Sequence, residues 1–209
     1  MRIFRTRFLL LSSLLLMLAG CSSAYRHLRP AEANPECLNA FKPDFTRALY
    51  NTKVNVIGKH LSGLLLIKLM PDSSHRMLFS NEFGFKFFDF EFAKDGSFKV
   101  HYILKDMDKP AVIKTLRKDF ELLLMTGTNK PGRILTDGTN LYYAFRQPKG
   151  YNYYITDSSC QKLLRIEKAS KRKAVVVAIM EGYEKQLPDT IGISHKTFNF
   201  EIGLKRIKQ

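Results

Sequence analysis

The sequence predicts an α+β fold, in which a mostly antiparallel and strongly curved, barrel-like sheet carries one main amphipathic helix. About ten short segments alternate apolar with polar residues and are separated by Gly, Pro, Asn, Asp and Ser, as strands joined by turns are. One longer segment repeats its apolar residues every three or four positions, as a helix does. No internal repeat or low-complexity linker divides the chain, so we expect one domain over residues 37–209.

The clearest strand pattern is a hairpin. Phe88, Phe90 and Phe92 alternate with acidic residues, which places three aromatic rings on one face of a strand. The Asp-Gly pair that follows, at 95–96, is typical of a tight hairpin turn. The sequence therefore predicts a hairpin over residues 85–104, whose second strand carries the alternating apolar residues Phe98, Val100, Tyr102 and Leu104.

The best helix pattern lies between two blocks of strands. Asp108 suits the N-cap, Pro110 the first turn and Gly127 the region after the last turn. The apolar side is formed by Val112, Ile113, Leu116, Phe120, Leu123 and Leu124, and the basic side by Lys114, Arg117 and Lys118. Such a helix needs an apolar surface to cover, and the sheet supplies one.

Further strand patterns flank the hairpin and the helix. Before them the predicted strands cover residues 54–58, 64–70 and 75–79. After them the predicted strands cover residues 133–136, 141–146, 151–155, 162–166, 174–180 and 196–206. Turn residues separate all of these segments, which favours antiparallel neighbours along the chain.

Residues 1–20 have the order of a secretory signal peptide. Arginines come first, an apolar run over residues 8–18 follows, and small residues close the segment. That run has 11 residues, whereas a membrane-spanning helix needs about 20. The four residues Leu18-Ala19-Gly20-Cys21 then resemble the lipobox of bacterial lipoproteins, which is cleaved before its cysteine.

The lipobox resemblance implies a diacylglycerol on the sulfur of Cys21 and usually a third acyl chain on its new amino group. One acyl chain holds a protein at a membrane only marginally, whereas two or three hold it durably. Residues 21–36 would then form a lipidated polar tether. Ser22, directly after the cysteine, resembles an outer-membrane sorting signal, so we expect a protein anchored in the outer membrane and facing the periplasm.

The chain is strongly basic. Its formal net charge is +15, and it falls to +12 when residues 1–20 are removed, because that segment holds three arginines and no acidic residue. Such a charge indicates nucleic acid or an anionic membrane surface as a partner, and the predicted compartment excludes chromosomal DNA. We expect contact with anionic headgroups, or else a merely solvated turn, at Lys168, Lys171, Arg172 and Lys173.

Two of the three cysteines remain after Cys21 is assigned to lipid. Disulfides form in oxidising compartments such as the periplasm. We therefore predict a disulfide between Cys37 and Cys160.

Signals for catalysis are weak. The five histidines are scattered, with no HExxH motif and no Cys/His cluster at metal-ligand spacing. There is no G-x-S-x-G motif of a hydrolase. The loop 127–132 lacks the Gly-Lys-Ser/Thr ending of a phosphate-binding loop and follows a helix instead of preceding one. We expect a non-catalytic protein without metal or cofactor.

Short patterns over most of the mature chain resemble the periplasmic lipoprotein carriers LolA and LolB. They are the lipobox, the Ser-Gly-led strand 62–68, the Asp-Gly-Thr-Asn-Leu segment 137–141, and Leu187-Pro188 with the alternating strand 196–206. The resemblance implies an incomplete antiparallel β-barrel, in which helices close an apolar cavity for acyl chains. The absence of tryptophan and the Arg/Lys-rich composition depart from the receptor, which indicates a diverged relative.

This resemblance leads to two expectations of function. In the first, the cavity holds an acyl chain, a lipid or a lipoprotein and is lined by Phe88, Phe90, Phe98, Val100, Leu116, Phe120 and Leu124. In the second, the protein is a structural or scaffolding lipoprotein, whose core is full and whose exposed strands bind an envelope protein.

Overall fold

The computed structural model describes residues 23–56, 58–128 and 131–208. The predicted signal peptide 1–20 and the predicted lipid-attachment residue Cys21 lie outside the described residues. Lipid attachment at Cys21 therefore stays a prediction.

The described residues form thirteen strands, one α-helix and two short 3₁₀ turns. The first block of strands is β1 (Arg29–Pro30), β2 (Arg47–Val56), β3 (Lys59–Leu69), β4 (His75–Ser80), β5 (Lys86–Phe92) and β6 (Phe98–Ile103). The helix α1 (Pro110–Leu123) follows. The second block is β7 (Arg133–Thr136), β8 (Asn140–Gln147), β9 (Gly150–Asp157), β10 (Leu163–Ala169), β11 (Ala174–Glu181), β12 (Thr190–His195) and β13 (Phe200–Arg206). The 3₁₀ turns cover Cys37–Phe41 and Lys105–Met107.

All thirteen strands belong to one antiparallel sheet, in the order β1-β7-β8-β9-β10-β11-β12-β13-β2-β3-β4-β5-β6. Most strands pair with the next strand along the chain, as hairpins do. The two blocks join where β13 pairs with β2, with Ile202 opposite Val54. The helix α1 connects β6, at one edge of the sheet, to β7, next to the other edge.

The predicted α+β class with a strongly curved sheet, an incomplete β-barrel, is wrong. The fold is mostly β, and its sheet is open and not strongly curled, because the strands at its two edges, β1 and β6, do not pair with each other. The physical reason for the error is that alternation of apolar and polar residues defines the two faces of a strand. It does not define how far a sheet twists or bends from one strand to the next.

The aromatic hairpin forms as predicted, as strands β5 and β6. Phe92 lies opposite Phe98, and Phe90 lies opposite Val100. The rings of Phe88 and Phe90 stack with centroids 4.5 Å apart. The helix also forms, but its N-cap is Lys109 and not Asp108, and Pro110 is its first residue. The last turn is followed by Gly127, which has a φ of +74° that glycine adopts without strain.

Apolar side chains are buried on both faces of the sheet. The larger cluster lies beneath α1 and includes the fully buried Phe90, Phe120 and Tyr143. A smaller cluster on the other face consists of Tyr142, Ala144, Tyr153, Ile155 and Ala169. The N-terminal segment packs on the smaller cluster, where the ring of Tyr25 stacks on Tyr153 at 4.6 Å.

The predicted disulfide is confirmed. Cys37 and Cys160 are joined, with their Cα atoms 6.0 Å apart and a sequence separation of 123. The bond ties the first 3₁₀ turn to the turn between β9 and β10. It therefore connects the segment between β1 and β2 to the second block of strands.

Candidate functional site

An apolar cleft of about 500 Å³ opens between the N-terminal half of α1 and the sheet. The helix contributes Val112, Leu116 and Phe120 to its wall. The sheet contributes side chains of β2, β3, β4, β5 and β13, which include Val54, Val56, Leu61, Leu65, Phe79, Phe88, Phe200 and Ile202. A volume of about 300–1,000 Å³ is typical of small-molecule sites.

The local sequence explains why these side chains meet. Val112, Leu116 and Phe120 are four residues apart, so a helix places them on one face. Val54 and Val56 are two residues apart on β2, as are Phe200 and Ile202 on β13, so each strand points both side chains to the same side. Because β2 pairs with β13, the four sheet residues form one continuous apolar surface.

The cleft is closed at the C-terminal half of α1, where the helix packs tightly on the sheet. The ring of Phe120 lies 5.7 Å from that of Phe88 and 6.3 Å from that of Phe92. Leu122 and Leu123 are buried. The space is therefore a cleft with one open end and one packed end.

The open end of the cleft has a polar rim. Lys59 precedes the apolar part of β3, and Asp106 and Lys109 lie at the start of the helix, all three exposed. Phe198 also lines this end and is 43% exposed. Within the part of the chain that the structure describes, Lys59 and Lys109 form no ion pair with a carboxylate, so their charges face solvent at the entrance.

A buried pair of titratable side chains lies beside the cleft. Asp119 Oδ2 is 2.8 Å from His195 Nε2, and the two side chains are 0% and 6% exposed. The ring of His195 packs against Phe198 and Phe200, which line the cleft. Burial raises the pKa of Asp119 above its ordinary range, although the hydrogen bond to His195 opposes this.

The structure brings together three of the seven predicted cavity residues. Phe88, Leu116 and Phe120 line the cleft. Phe90 and Leu124 are buried in the core outside its wall, and Phe98 packs its ring on Phe90 at 5.2 Å. Val100 lies on the edge strand β6 and is 36% exposed, so it does not reach the cleft.

The four predicted headgroup residues do not lie together. Lys171, Arg172 and Lys173 are exposed on the turn between β10 and β11. Lys168 lies on β10 and is half-buried, and burial lowers its pKa. Asp119 acts electrostatically on Lys168, so this lysine belongs to the surroundings of the buried pair.

The sequence interpretation missed the sheet wall of the cleft and the buried pair. The alternation on β2 and β13 was visible, but the pairing of these distant strands was not. Asp119 carried a signal, since it falls on the apolar face of the helix between Leu116 and Phe120. A carboxylate at such a position has to find a buried partner.

Other features of the described residues are weaker candidates for a functional site. A polar depression of about 250 Å³ lies at the opposite end of the sheet, where Arg206 pairs with Asp189 and Glu184. No group of three or more His, Cys, Asp or Glu side chains suited to a metal ion occurs in residues 23–56, 58–128 and 131–208. Among the described residues no helix is long and apolar enough to cross a membrane.

Comparison with known proteins finds similarity only to solved structures, and that similarity is low. No protein-family model and no curated protein matches the chain. Among solved structures, a DUF1329 family protein from Desulfovibrio piger is similar over 82% of this chain and 88% of that chain, with 10% sequence identity and a TM-score of 0.43.

Proposed function

We propose that this protein is a periplasm-facing lipoprotein of the outer membrane that binds an acyl chain in the cleft between α1 and the sheet. The acyl chain would belong to a lipid or to a lipoprotein, in a carrier or receptor role similar to that of LolA and LolB. The predicted lipid on Cys21 would hold the protein at the membrane from which such a ligand comes.

The observation that carries the proposal is the apolar cleft itself. Its wall is made of aliphatic and aromatic side chains from one helix face and five strands. An apolar surface of this extent in contact with water is unfavourable in a protein that only needs a core. An acyl chain would cover that surface with its methylene groups, each worth about 0.8 kcal/mol when buried.

The polar rim fits the other end of such a ligand. Lys59 and Lys109 stand at the entrance, where a lipid headgroup or a backbone would meet water. Pockets for ligands of this kind are mostly apolar with a few polar groups that fix orientation. The arrangement therefore favours an amphiphile over a fully apolar molecule.

Native mass spectrometry of the protein released from bacterial membranes tests this function. We expect a non-covalent acyl lipid that remains in native spectra and is lost in denaturing spectra, which separates it from any covalent lipid on Cys21. The variant Val112→Trp fills the cleft and is expected to reduce the bound fraction at least fivefold.

The matched control is Ile179→Trp, which introduces the same side chain on the outer face of β11, where Ile179 is 41% exposed. It is expected to keep the bound lipid. The proposed function fails if the wild-type protein carries no lipid, or if both variants carry as much lipid as the wild type while melting at a similar temperature.

A second candidate function, scaffolding of an envelope protein, is favoured by the edge strand β6. This strand of six residues ends the sheet, and most of its side chains are exposed, including Tyr102 at 40%. An unpaired edge strand can receive a strand from a partner. Replacing Val100 with Pro removes one backbone donor there, and loss of a cross-linked protein partner without loss of cleft-bound lipid would support this candidate.

A further inference from the structure

The turns at the two ends of the sheet differ in charge. Because neighbouring strands are antiparallel, successive turns alternate between the two ends. One end, which we name the basic end, holds the turns 81–85, 148–149, 170–173 and 196–199. Their charged residues are the single acid Glu82 and the cations Lys149, Lys171, Arg172, Lys173 and Lys196.

The opposite end, which we name the acidic end, holds the turns 70–74, 93–97, 137–139, 158–162 and 182–189. These turns contain five carboxylates and three lysines, namely Asp72, Asp95, Asp137, Glu184 and Asp189 with Lys94, Lys162 and Lys185. Hydrogen bonds from turn backbone lower the pKa of Asp137, and a hydrogen bond from Arg206 lowers that of Asp189. These carboxylates therefore stay ionised. Arg206 and Lys208 pair with Glu184 and Asp189, so the acidic end is balanced in charge, whereas the turns of the basic end have an excess of cations.

The turns of the basic end lie side by side. The backbone of Gly150, after the β8–β9 turn, lies directly against Ala169 and Ser170, where the β10–β11 turn begins. The N–H of Lys196 donates to Val175 O at 2.9 Å, which holds the β12–β13 turn beside the start of β11. The cations of three turns thus form one surface, and each is exposed.

The same end presents exposed aromatic rings. Phe83, at the tip of the β4–β5 turn, is 95% exposed, and Phe85 is 50% exposed. The side chain of Asn81 accepts hydrogen bonds from the N–H groups of both residues, at 3.0 and 2.8 Å, so the turn that carries the rings is well formed. Phe85 also packs edge-on against Phe87, with ring centroids 6.0 Å apart, whereas the ring of Phe83 is almost fully exposed. Exposed aromatic rings on a well-formed turn suit contact with a membrane interface.

The N-terminal segment also reaches the basic end. The N–H of Ala24 donates to Arg172 O at 2.7 Å, on the β10–β11 turn. Ala24 is three positions after the predicted lipid-bearing Cys21. Three residues of fully extended chain span at most about 11 Å, so an anchor on Cys21 would enter the bilayer close to this turn.

We propose that the basic end of the sheet is a membrane-docking face, on which Lys171, Arg172 and Lys173 bind anionic headgroups while Phe83 and Phe85 enter the interface. The partner is an anionic lipid bilayer, whose charge complements the cations and whose interface accepts aromatic rings. The entrance of the cleft, with Lys59, Lys109 and Phe198, lies at the same end, so docking would turn the cleft towards the lipid. The inference stands on the turns and does not depend on what the cleft binds.

Depth-resolved fluorescence tests the docking face. The full protein, purified from bacterial membranes, is placed in vesicles of phosphatidylcholine with or without phosphatidylglycerol. A fluorophore is attached through Phe83→Cys, or through Asp95→Cys at the acidic end. We expect the label at position 83 to be quenched by bromine-labelled lipid in the anionic vesicles, and the label at position 95 to stay in water.

Two charge variants are then compared. The triple variant Lys171→Gln, Arg172→Gln, Lys173→Gln is expected to reduce the ratio of docked to undocked protein by roughly 100-fold, because each cation near the surface contributes about 1 kcal/mol. The matched control Lys94→Gln, Lys162→Gln, Lys185→Gln removes the same charge at the acidic end and should leave quenching unchanged.

The proposal is overturned if the two labels are quenched alike, or if the two triple variants behave alike. It is also overturned if the label at position 83 responds only after a membrane-protein extract is added, because the surface would then bind a protein. Val112→Trp separates the two hypotheses, since filling the cleft should reduce bound lipid at least fivefold without changing the quenching of the label at position 83.

Discussion

Asp119 of α1 and His195 at the end of β12 are hydrogen-bonded at 2.8 Å and are almost fully buried. The other carboxylate oxygen of Asp119 has no hydrogen-bond partner among the described residues. The pair fixes the middle of the helix to the sheet beside the cleft. It therefore lies at the boundary between the part of the helix that packs on the sheet and the part that borders the cleft.

Replacing Asp119 with Leu is expected to lower the free energy of unfolding by about 1–3 kcal/mol, because His195 loses its partner in a buried site. Asp119→Asn keeps an acceptor oxygen and is the matched control, with less than half of that loss. Urea unfolding measures both variants. Equal losses would show that the hydrogen bond is not what holds the helix at this point.

The pair also predicts a pH dependence of stability. Burial raises the pKa of Asp119 in the folded state above its ordinary value of 3.8. The folded state then holds the proton more tightly than the unfolded state, so this group makes stability fall as pH rises through the interval above 3.8. The free energy of unfolding of Asp119→Asn should therefore increase relative to the wild type as pH rises from 3.8 towards neutrality. Parallel curves for the two proteins across this interval would contradict the prediction.

Truncation of two leucines of the same helix should lower the free energy of unfolding by different amounts. Leu123 is fully buried in the packed half, whereas Leu116 faces the cleft. Leu-to-Ala changes in cores cost about 2–5 kcal/mol, and the cost depends on the contacts and cavity at each site. We expect Leu123→Ala near the upper end and Leu116→Ala near the lower end, measured by chemical unfolding. The reverse order would mean that the cleft is filled in the protein without ligand.

Removal of the disulfide should cost about 2–5 kcal/mol of stability. The double variant Cys37→Ser, Cys160→Ser releases a loop of 123 residues in the unfolded chain, which is the origin of most of the loss. Reducing agent should lower the midpoint of urea unfolding of the wild type and leave the double variant unchanged. If the reducing agent does not change the wild-type midpoint, the disulfide does not stabilise the protein.

The sequence was informative about faces and elements and uninformative about long-range pairing. The alternation of Phe88, Phe90 and Phe92 predicted a hairpin and its aromatic face, because neighbouring strands interact locally. The pairing of β13 with β2 joins Ile202 to Val54 across most of the chain, and no local pattern encodes it. The predicted barrel failed for the same reason.

The candidate site shows the same division. Leu116 and Phe120 could be assigned to the cleft because helical spacing defines a face. Phe90 and Leu124 also lie on the apolar faces of their strand and helix pattern, yet they are buried outside the cleft wall. Periodicity shows that a residue faces the interior, but it does not show whether that part of the interior is packed or forms a cleft. The sequence grouped Lys168 with the basic residues of the following turn. In the structure it lies on strand β10, which continues to Ala169, and it is close enough to Asp119 to interact with it electrostatically.

The disulfide has a consequence for how the protein withstands proteases. Cys37 and Cys160 enclose β2 to β9, the helix and the exposed turn at Phe83 within one covalent ring. A peptide bond cut at that turn would leave both fragments attached to each other until the bond is reduced. Nicked molecules would therefore keep the mass of the intact chain under non-reducing conditions.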